Sequence, residues 1–242
     1  MLVKKIAIFV VALCLSFRVG AEGIGPQIIT VDCGGITRYA KLYLPDNIAD
    51  RKLPLVFVFH GRGGSMHGVS KKIDIHNYWS EAVVVCPQGM WCEGGYMDGL
   101  GWVIDSHSRD LEMFDSLLLY LKQHYNIDLN RIYATGHSNG GAFVHALWCW
   151  RGDVFAALAP SASTSSKLGK SRTCREPKPL LIIGGKQDEV VSIAAIRREI
   201  AIAKQINGPL GVDSIIHSGG HKFPGQYVAD IVSFFKRYSN DR

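Results

Sequence analysis

A serine set between glycines, with aspartates and histidines downstream of it, defines the chemistry this chain could perform. Gly136-His137-Ser138-Asn139-Gly140 fits the spacing G-x-S-x-G. It follows a strand-like run, Arg131 to Thr135, and leads into an apolar helical stretch, Ala142 to Trp150. Glycines there let the chain turn sharply and leave the hydroxyl exposed at the head of a helix. The first N–H groups of that helix point at any negative charge that develops beside the serine. A serine hydroxyl is a poor nucleophile until a base takes its proton, and an imidazole does this best when a carboxylate holds its other nitrogen. Nucleophilic acyl transfer is therefore the chemistry to look for.

On a strand-to-helix turn of this kind, the acid and then the histidine come from loops after later strands. Asp188 stands out as the acid because Leu180-Leu181-Ile182-Ile183-Gly184-Gly185 is a buried-strand run and Lys186-Gln187-Asp188 lies just beyond its carboxyl end, with Glu189 the nearest rival. Asp153 and Glu199 read as helical or solvated, and Glu176 lies in a basic loop bounded by proline. For the base, His145 lies seven residues into the helix after the turn and should point away from Ser138, while His217 ends a strand. His221, in Ser218-Gly219-Gly220-His221-Lys222-Phe223-Pro224-Gly225, is favoured over His217 because its glycines permit an unusual backbone. The oxyanion needs two donors already in place. One is the N–H of Asn139; the other is expected from His60-Gly61-Arg62-Gly63-Gly64-Ser65, with Arg62 preferred to Gly63. Neither a phosphate-binding G-x-x-x-x-G-K-[ST] nor a dinucleotide G-x-G-x-x-G pattern follows that loop.

The elements that must position these residues alternate between short apolar runs and longer amphipathic stretches, the pattern of helices covering both faces of a mainly parallel sheet. Strands are expected near Gln27 to Val31, Arg38 to Leu44, Leu55 to His60, Ala82 to Cys86, Ile132 to Thr135, Ala156 to Pro160, Leu180 to Ile183 and Asp213 to His217. The first two, separated by Cys33-Gly34-Gly35, should form a hairpin. Leu111, Phe114, Leu118 and Leu121 recur at helical spacing, and further helices are expected over Ile193 to Ile206 and Tyr227 to Tyr238.

At 242 residues, 47% hydrophobic and 20% charged, the chain suits a single α/β domain. Lys4-Lys5, an apolar run from Ile6 to Phe17, and Val19-Gly20-Ala21 read as a signal peptide over residues 1–21, leaving a catalytic domain over 22–242 and a secreted or periplasmic location. A run of about a dozen apolar residues is too short to span a bilayer, so no stable membrane insertion is expected. The net charge is +6, and Lys4, Lys5 and Arg18 supply three of those units. The remaining basic pairs, such as Arg197-Arg198, fit a solvated helix face better than a nucleic-acid surface. Beyond the leader lie Cys33, Cys86, Cys92, Cys149 and Cys174, without the spacing of a zinc site. Structural disulfides are the better reading, with one thiol left over. No metal or cofactor is called for.

Four blocks give the chain a resemblance to the secreted esterases that join feruloyl esterases and polyhydroxybutyrate depolymerase-like proteins on the α/β-hydrolase fold. They are His60-Gly61 with the glycines after it, Asn126-Ile127-Asp128 through Gly141, Gly184 through Asp188-Glu189-Val190-Val191, and Gly219 through Gly225. The resemblance implies an eight-stranded sheet, Ser138 as nucleophile, Asp188 as acid, His221 as base, and a disulfide between Cys149 and Cys174. It also implies a small-molecule or polymeric ester as substrate, and the lack of an appended polymer-binding module points to soluble or amorphous esters. Phe223 stands where the family usually has tryptophan in its histidine loop. Phe223, Trp91 and Trp102 are the expected substrate contacts, the last two in the Gly- and aromatic-rich segment 88–102. A serine peptidase with the same triad, or a binding protein on the same scaffold, are the rival readings. Oligomeric state and the pairing of Cys33, Cys86 and Cys92 are left open by the sequence.

Overall fold

The structure, a computed structural model, describes residues 25–46, 48, 51–94, 97–173 and 176–240. The expected leader, residues 1–21, and Cys174 lie outside them. Among the described residues ten strands form: β1 (Gln27–Cys33), β2 (Ile36–Tyr43), β3 (Leu53–Phe59), β4 (Val83–Pro87), β5 (Met90–Cys92), β6 (Gly99–Gly101), β7 (Ile127–His137), β8 (Ala157–Ser161), β9 (Leu181–Gly185) and β10 (Asp213–His217). Six α-helices accompany them: α1 (Met66–Lys72), α2 (Ile75–Tyr78), α3 (Arg109–His124), α4 (Asn139–Arg151), α5 (Ile193–Asn207) and α6 (Val228–Phe235).

The main sheet has eight strands in the order β1-β2-β4-β3-β7-β8-β9-β10. The β1/β2 and β2/β4 pairs are antiparallel and the rest are parallel. The first hairpin turns through Gly34 and Gly35 at φ 61° and 85°, the doubly positive conformation that a tight two-residue turn demands and that glycine adopts without strain.

Strand periodicity divides the core in two. On β3, Leu55, Phe57 and Phe59 face one side with Phe114 of α3, Phe143 of α4 and Ile196 of α5. Val56 and Val58 face the other, with Val69 of α1, Ile75 of α2 and Ile231 of α6. Every residue of β3 is buried, as expected for a central strand covered on both faces. The sheet thus stands between two helical layers, and the ends of its parallel strands deliver the loops that carry the chemistry.

The small β5–β6 hairpin is not among the expected strands, while the short helices α1 and α2 fill the interval between β3 and β4, where helices were expected without bounds. The hairpin is held to the sheet through a buried pair: Arg38 on β2 donates to Asp110 Oδ1 at 2.7 Å and to the carbonyls of Gln88 and Arg109, while Asp110 Oδ2 accepts from the Val103 N–H at 2.8 Å. Arg38 and Asp110 are 3% and 0% exposed. Removing one partner strands a buried charge, so Asp110→Ala should lower the unfolding free energy by about 3–5 kcal/mol. Urea denaturation measures this, and a loss below about 1 kcal/mol would show that the pair does not matter to the fold.

The cysteines correct one expectation. Cys33 and Cys86 pack into opposite faces of the sheet, Cys92 sits on β5 with its thiol on the Met90 carbonyl, and all three are unbridged, buried thiols. Burial pushes the Cys86 thiol up to about 12, leaving it protonated and inert. The Cys149–Cys174 pairing falls outside the described residues through Cys174. Among the described residues, no helix is long and apolar enough to cross a membrane, and no group of three His, Cys, Asp or Glu side chains could hold a metal ion.

Candidate active site

Strand β7 ends at His137 and α4 begins at Asn139, so Ser138 alone makes the turn. Its backbone sits at φ 57°, ψ −118°, a region costly for a residue with a side chain. The turn is pinned on both sides: the Ser138 N–H donates to the Ser161 carbonyl and the Ser138 carbonyl accepts from the Ala142 N–H, each at 2.9 Å. The flanking glycines are required by contact. A Cβ at Gly140 would lie 2.3 Å from the Phe59 carbonyl oxygen, and one at Gly136 would lie 2.7 Å from Gly140.

Asp188 follows β9, where its side chain is fully buried. Oδ1 accepts from the Val190 and Val191 N–H groups at 2.9 and 2.7 Å, which leaves Oδ2 aimed at His221 Nδ1, 2.8 Å away. His221 Nε2 is in turn 2.8 Å from Ser138 Oγ. Because the carboxylate can only accept, the imidazole carries its proton on Nδ1 and offers the Nε2 lone pair to the serine hydroxyl. Glu189 is exposed.

The rival histidines do other things. His217 Nδ1 accepts from the Gly219 N–H at 3.1 Å and its carbonyl accepts from the Lys186 N–H at 2.8 Å, so it laces the two site loops together. His145 is buried against Glu199, with 3.6 Å between Nδ1 and Oε1. Glu199, read as helical or solvated, is helical, 1% exposed, and also accepts from the Ser165 N–H and hydroxyl at 3.1 and 2.8 Å. The helical period places it beside Ile196 and Ala203 on the inner face of α5.

The glycine loop after β3 presses against the nucleophile, since a Cβ on Gly61 would be 3.4 Å from Ser138 Cβ. Within it, the Gly63 N–H donates to the Leu100 carbonyl at 2.8 Å and the Gly64 N–H to the Gly61 carbonyl at 3.0 Å. Those commitments leave Arg62 as the loop's candidate oxyanion donor, opposite Asn139 at the first turn of α4, where N–H groups have no partner within the helix. The Arg62 guanidinium faces away, onto the carbonyls of Cys92 and Gly99 at 3.3 and 3.4 Å. His60, 1% exposed, buttresses the loop: Nε2 accepts from the Gly89 N–H at 2.9 Å, so Nδ1 is the protonated nitrogen and donates to the Gly61 carbonyl at 2.8 Å. Burial lowers its pKa and keeps it neutral.

Two cavities meet at Ser138 and Arg62. The larger, about 420 Å³, is lined by Val69, Lys72 and Ile73 from α1 and its C-terminal end and by His221, Lys222 and Phe223 from the histidine loop. The smaller, about 240 Å³, is lined by Asn139, Ala142, Ser163, Thr164, Lys167 and Val191 among others. Of the three expected substrate contacts, Phe223 lines the larger cavity. Trp102 does not: it is 1% exposed, with its ring stacked on Phe143 and edge-on to Phe59. Its work is internal, because its N–H donates to Asn139 Oδ1 at 2.7 Å, its carbonyl accepts from Asn139 Nδ2 at 3.1 Å, and its indole N–H holds the His60 carbonyl at 2.7 Å. Trp91 is 58% exposed, lines neither cavity, and gives its carbonyl to Arg109. The α1 residues that build the cavity wall were missed individually, since a helix of seven residues carries too little periodicity to read.

His137 sits against this centre. Its ring lies 5.0 Å from that of His221 and edge-on to Phe223, it bonds to the His221 backbone, and Nδ1 is 3.4 Å from Ser161 Oγ. Burial, reinforced by the neighbouring His221, pushes its pKa down to about 4.

This sheet order, with a serine on a strained strand-to-helix turn and the acid and histidine in later loops, is that of an α/β-hydrolase. Solved structures of a ferulic acid esterase and of the S-formylglutathione hydrolase from Agrobacterium tumefaciens share the fold, each with a TM-score of 0.68 over 88% of this chain, covering 96% and 94% of theirs at 14% and 17% identity. In sequence the chain is similar to feruloyl esterase D of Neurospora crassa, 25% identical over 186 residues, which is 71% of this chain and 60% of that relative. The chain thus spans less than two thirds of that curated relative's length. These likenesses bear out the feruloyl esterase side of the expected resemblance and do not speak to its depolymerase side. No family model matches the chain.

Proposed function

We propose that this protein is a secreted or periplasmic serine carboxylic-ester hydrolase acting through an acyl-enzyme intermediate. The observation that carries the reading is the unbroken hydrogen-bonded series from Asp188 through His221 to Ser138, ending at a cavity. Ser138 Oγ attacks the ester carbonyl carbon while its proton passes to His221 Nε2. The resulting oxyanion is met by the N–H groups of Asn139 and Arg62. As the bond to the alcohol oxygen breaks, His221 returns the proton to that oxygen and the alcohol leaves. Water, deprotonated by the same imidazole, then attacks the acyl carbon and releases the acid and Ser138. Asp188 holds the imidazole in the required tautomer and offsets its transient charge. The leader over residues 1–21, a single domain over 22–242 and the Cys149–Cys174 bridge belong to the same proposal.

The apolar wall of Val69, Ile73 and Phe223 suits an aryl or alkyl portion of the substrate. The similarity to feruloyl esterases favours esters of phenolic acids, with acetyl and short hydroxyalkanoate esters as the alternatives for an activity panel. The direct test is p-nitrophenyl acetate turnover together with labelling by a fluorophosphonate. Turnover and a label confined to Ser138 are expected; absence of both, or a label on another serine, would overturn the reading.

A further inference from the structure

We propose that Lys72 and Lys222, which line the larger cavity from α1 and from the histidine loop, select esters whose alcohol portion carries a carboxylate; the inference rests on the esterase reading above. Every ionisable side chain lining either cavity is a base or an imidazole. The larger has Arg62, Lys72, Lys222 and three histidines, the smaller has Arg62 and Lys167, and neither has an Asp or Glu in its wall. None of the nearby acids, the exposed Glu189 included, lines either cavity. Asp188 is sealed beneath the site by Val190, Val191 and His221, and Asp74 accepts from Asn77 Nδ2 at 2.9 Å. Arg62 spends its guanidinium on two carbonyls. Among the described residues, by contrast, no carboxylate lies within ion-pair distance of Lys72 or Lys222, and both are exposed at the cavity mouth. Same-sign charges around a cleft focus the field and raise the local concentration of opposite charge.

The side of the ester that meets these lysines follows from the chemistry. The departing alcohol oxygen must take its proton from His221 Nε2, and His221 lines the larger cavity but not the smaller. The alcohol therefore leaves through the cavity that Lys72 and Lys222 line, with the acyl group lying toward Asn139, Ala142 and Val191.

The test compares 3-(4-acetoxyphenyl)propanoate with its primary amide. These share an acyl group and a phenol of nearly equal acidity, and differ in one remote charge. At low ionic strength, kcat/KM for the carboxylate should exceed that for the amide by about tenfold, the contribution of two partly exposed ion pairs, and the ratio should shrink in high salt. In the Lys72→Gln/Lys222→Gln variant the ratio should fall to near one; in Lys71→Gln, altered on the same helix but outside the cavity wall, it should persist. A wild-type ratio of one or less, or a ratio that survives the double substitution, overturns the proposal while leaving the esterase reading intact. Failure of the wild type to hydrolyse either ester overturns both.

Discussion

Ser138→Ala is expected to lower the turnover of p-nitrophenyl acetate by about 10⁴-fold or more while the protein remains folded. In the proposed mechanism the hydroxyl is the group that forms a bond to the substrate, and it sits 2.8 Å from His221 Nε2, whose lone pair is free to take its proton. What persists in the variant is whatever the oxyanion donors and the cavity achieve with water as nucleophile. Since the proposed mechanism uses Ser138, His221 and Asp188 as one unit, adding His221→Ala to Ser138→Ala should reduce the residual rate by less than about tenfold. Retention of a tenth or more of the wild-type rate in Ser138→Ala would remove Ser138 from the mechanism.

The same position offers a separate stability readout. Ser138 is held at φ 57°, where a Cβ is strained and glycine is not. Ser138→Gly and Ser138→Ala both lose the hydrogen bond to His221, so the difference between them isolates the backbone. Ser138→Gly should be the more stable of the two by about 1 kcal/mol, even though glycine also loosens the unfolded chain. Thermal unfolding decides it, and an alanine variant of equal or greater stability would mean the turn is relaxed. The strain is tolerated because the Ser161 and Ala142 contacts and the close passage of Gly140 over Phe59 leave the turn no alternative.

This turn was legible in the sequence because its demands are local: two glycines where a Cβ would collide with backbone, a strand before and a helix after. Asp188 and His221 were legible for a related reason, as each lies just beyond a strand whose apolar run announces it. What depended on distant packing was not. Trp102 sits in a glycine-rich stretch that reads as a loop over a pocket, yet Phe59 and Phe143, from β3 and α4, enclose it. Arg62 is preferred to Gly63 already in the sequence, but the hydrogen bond that occupies the Gly63 N–H goes to Leu100, on a three-residue strand too short to show a period. Glu199 was readable in principle, three residues after Ile196 and four before Ala203, but the adjacent Arg197-Arg198 pair pointed to solvent.

Stability between pH 6.5 and 4 should be markedly more pH-dependent in the wild type than in a His137→Gln variant. In the unfolded chain His137 titrates near 6.5, whereas in the fold burial and the ring of His221 bring it down to about 4. Between those values the unfolded state binds a proton that the folded state refuses, so stability rises with pH. The contribution is fully present above 6.5 and is lost as pH falls toward 4, amounting to on the order of 3 kcal/mol. Glutamine does not titrate, so the variant should lack this slope. His60 and His76, whose pKa values are also lowered by burial, act in the same direction in both proteins and cancel in the comparison. Urea denaturation at pH 7 and pH 4 gives the difference, and parallel losses in the two proteins would show that His137 carries no such linkage. In the proposed mechanism the neutrality has a use: a charged His137 would lie 5.0 Å from the imidazole that becomes positive as it takes the serine proton, and would oppose that step. Burial behind Phe223 and the bond to the His221 backbone therefore hold the histidine loop in place without adding a competing charge.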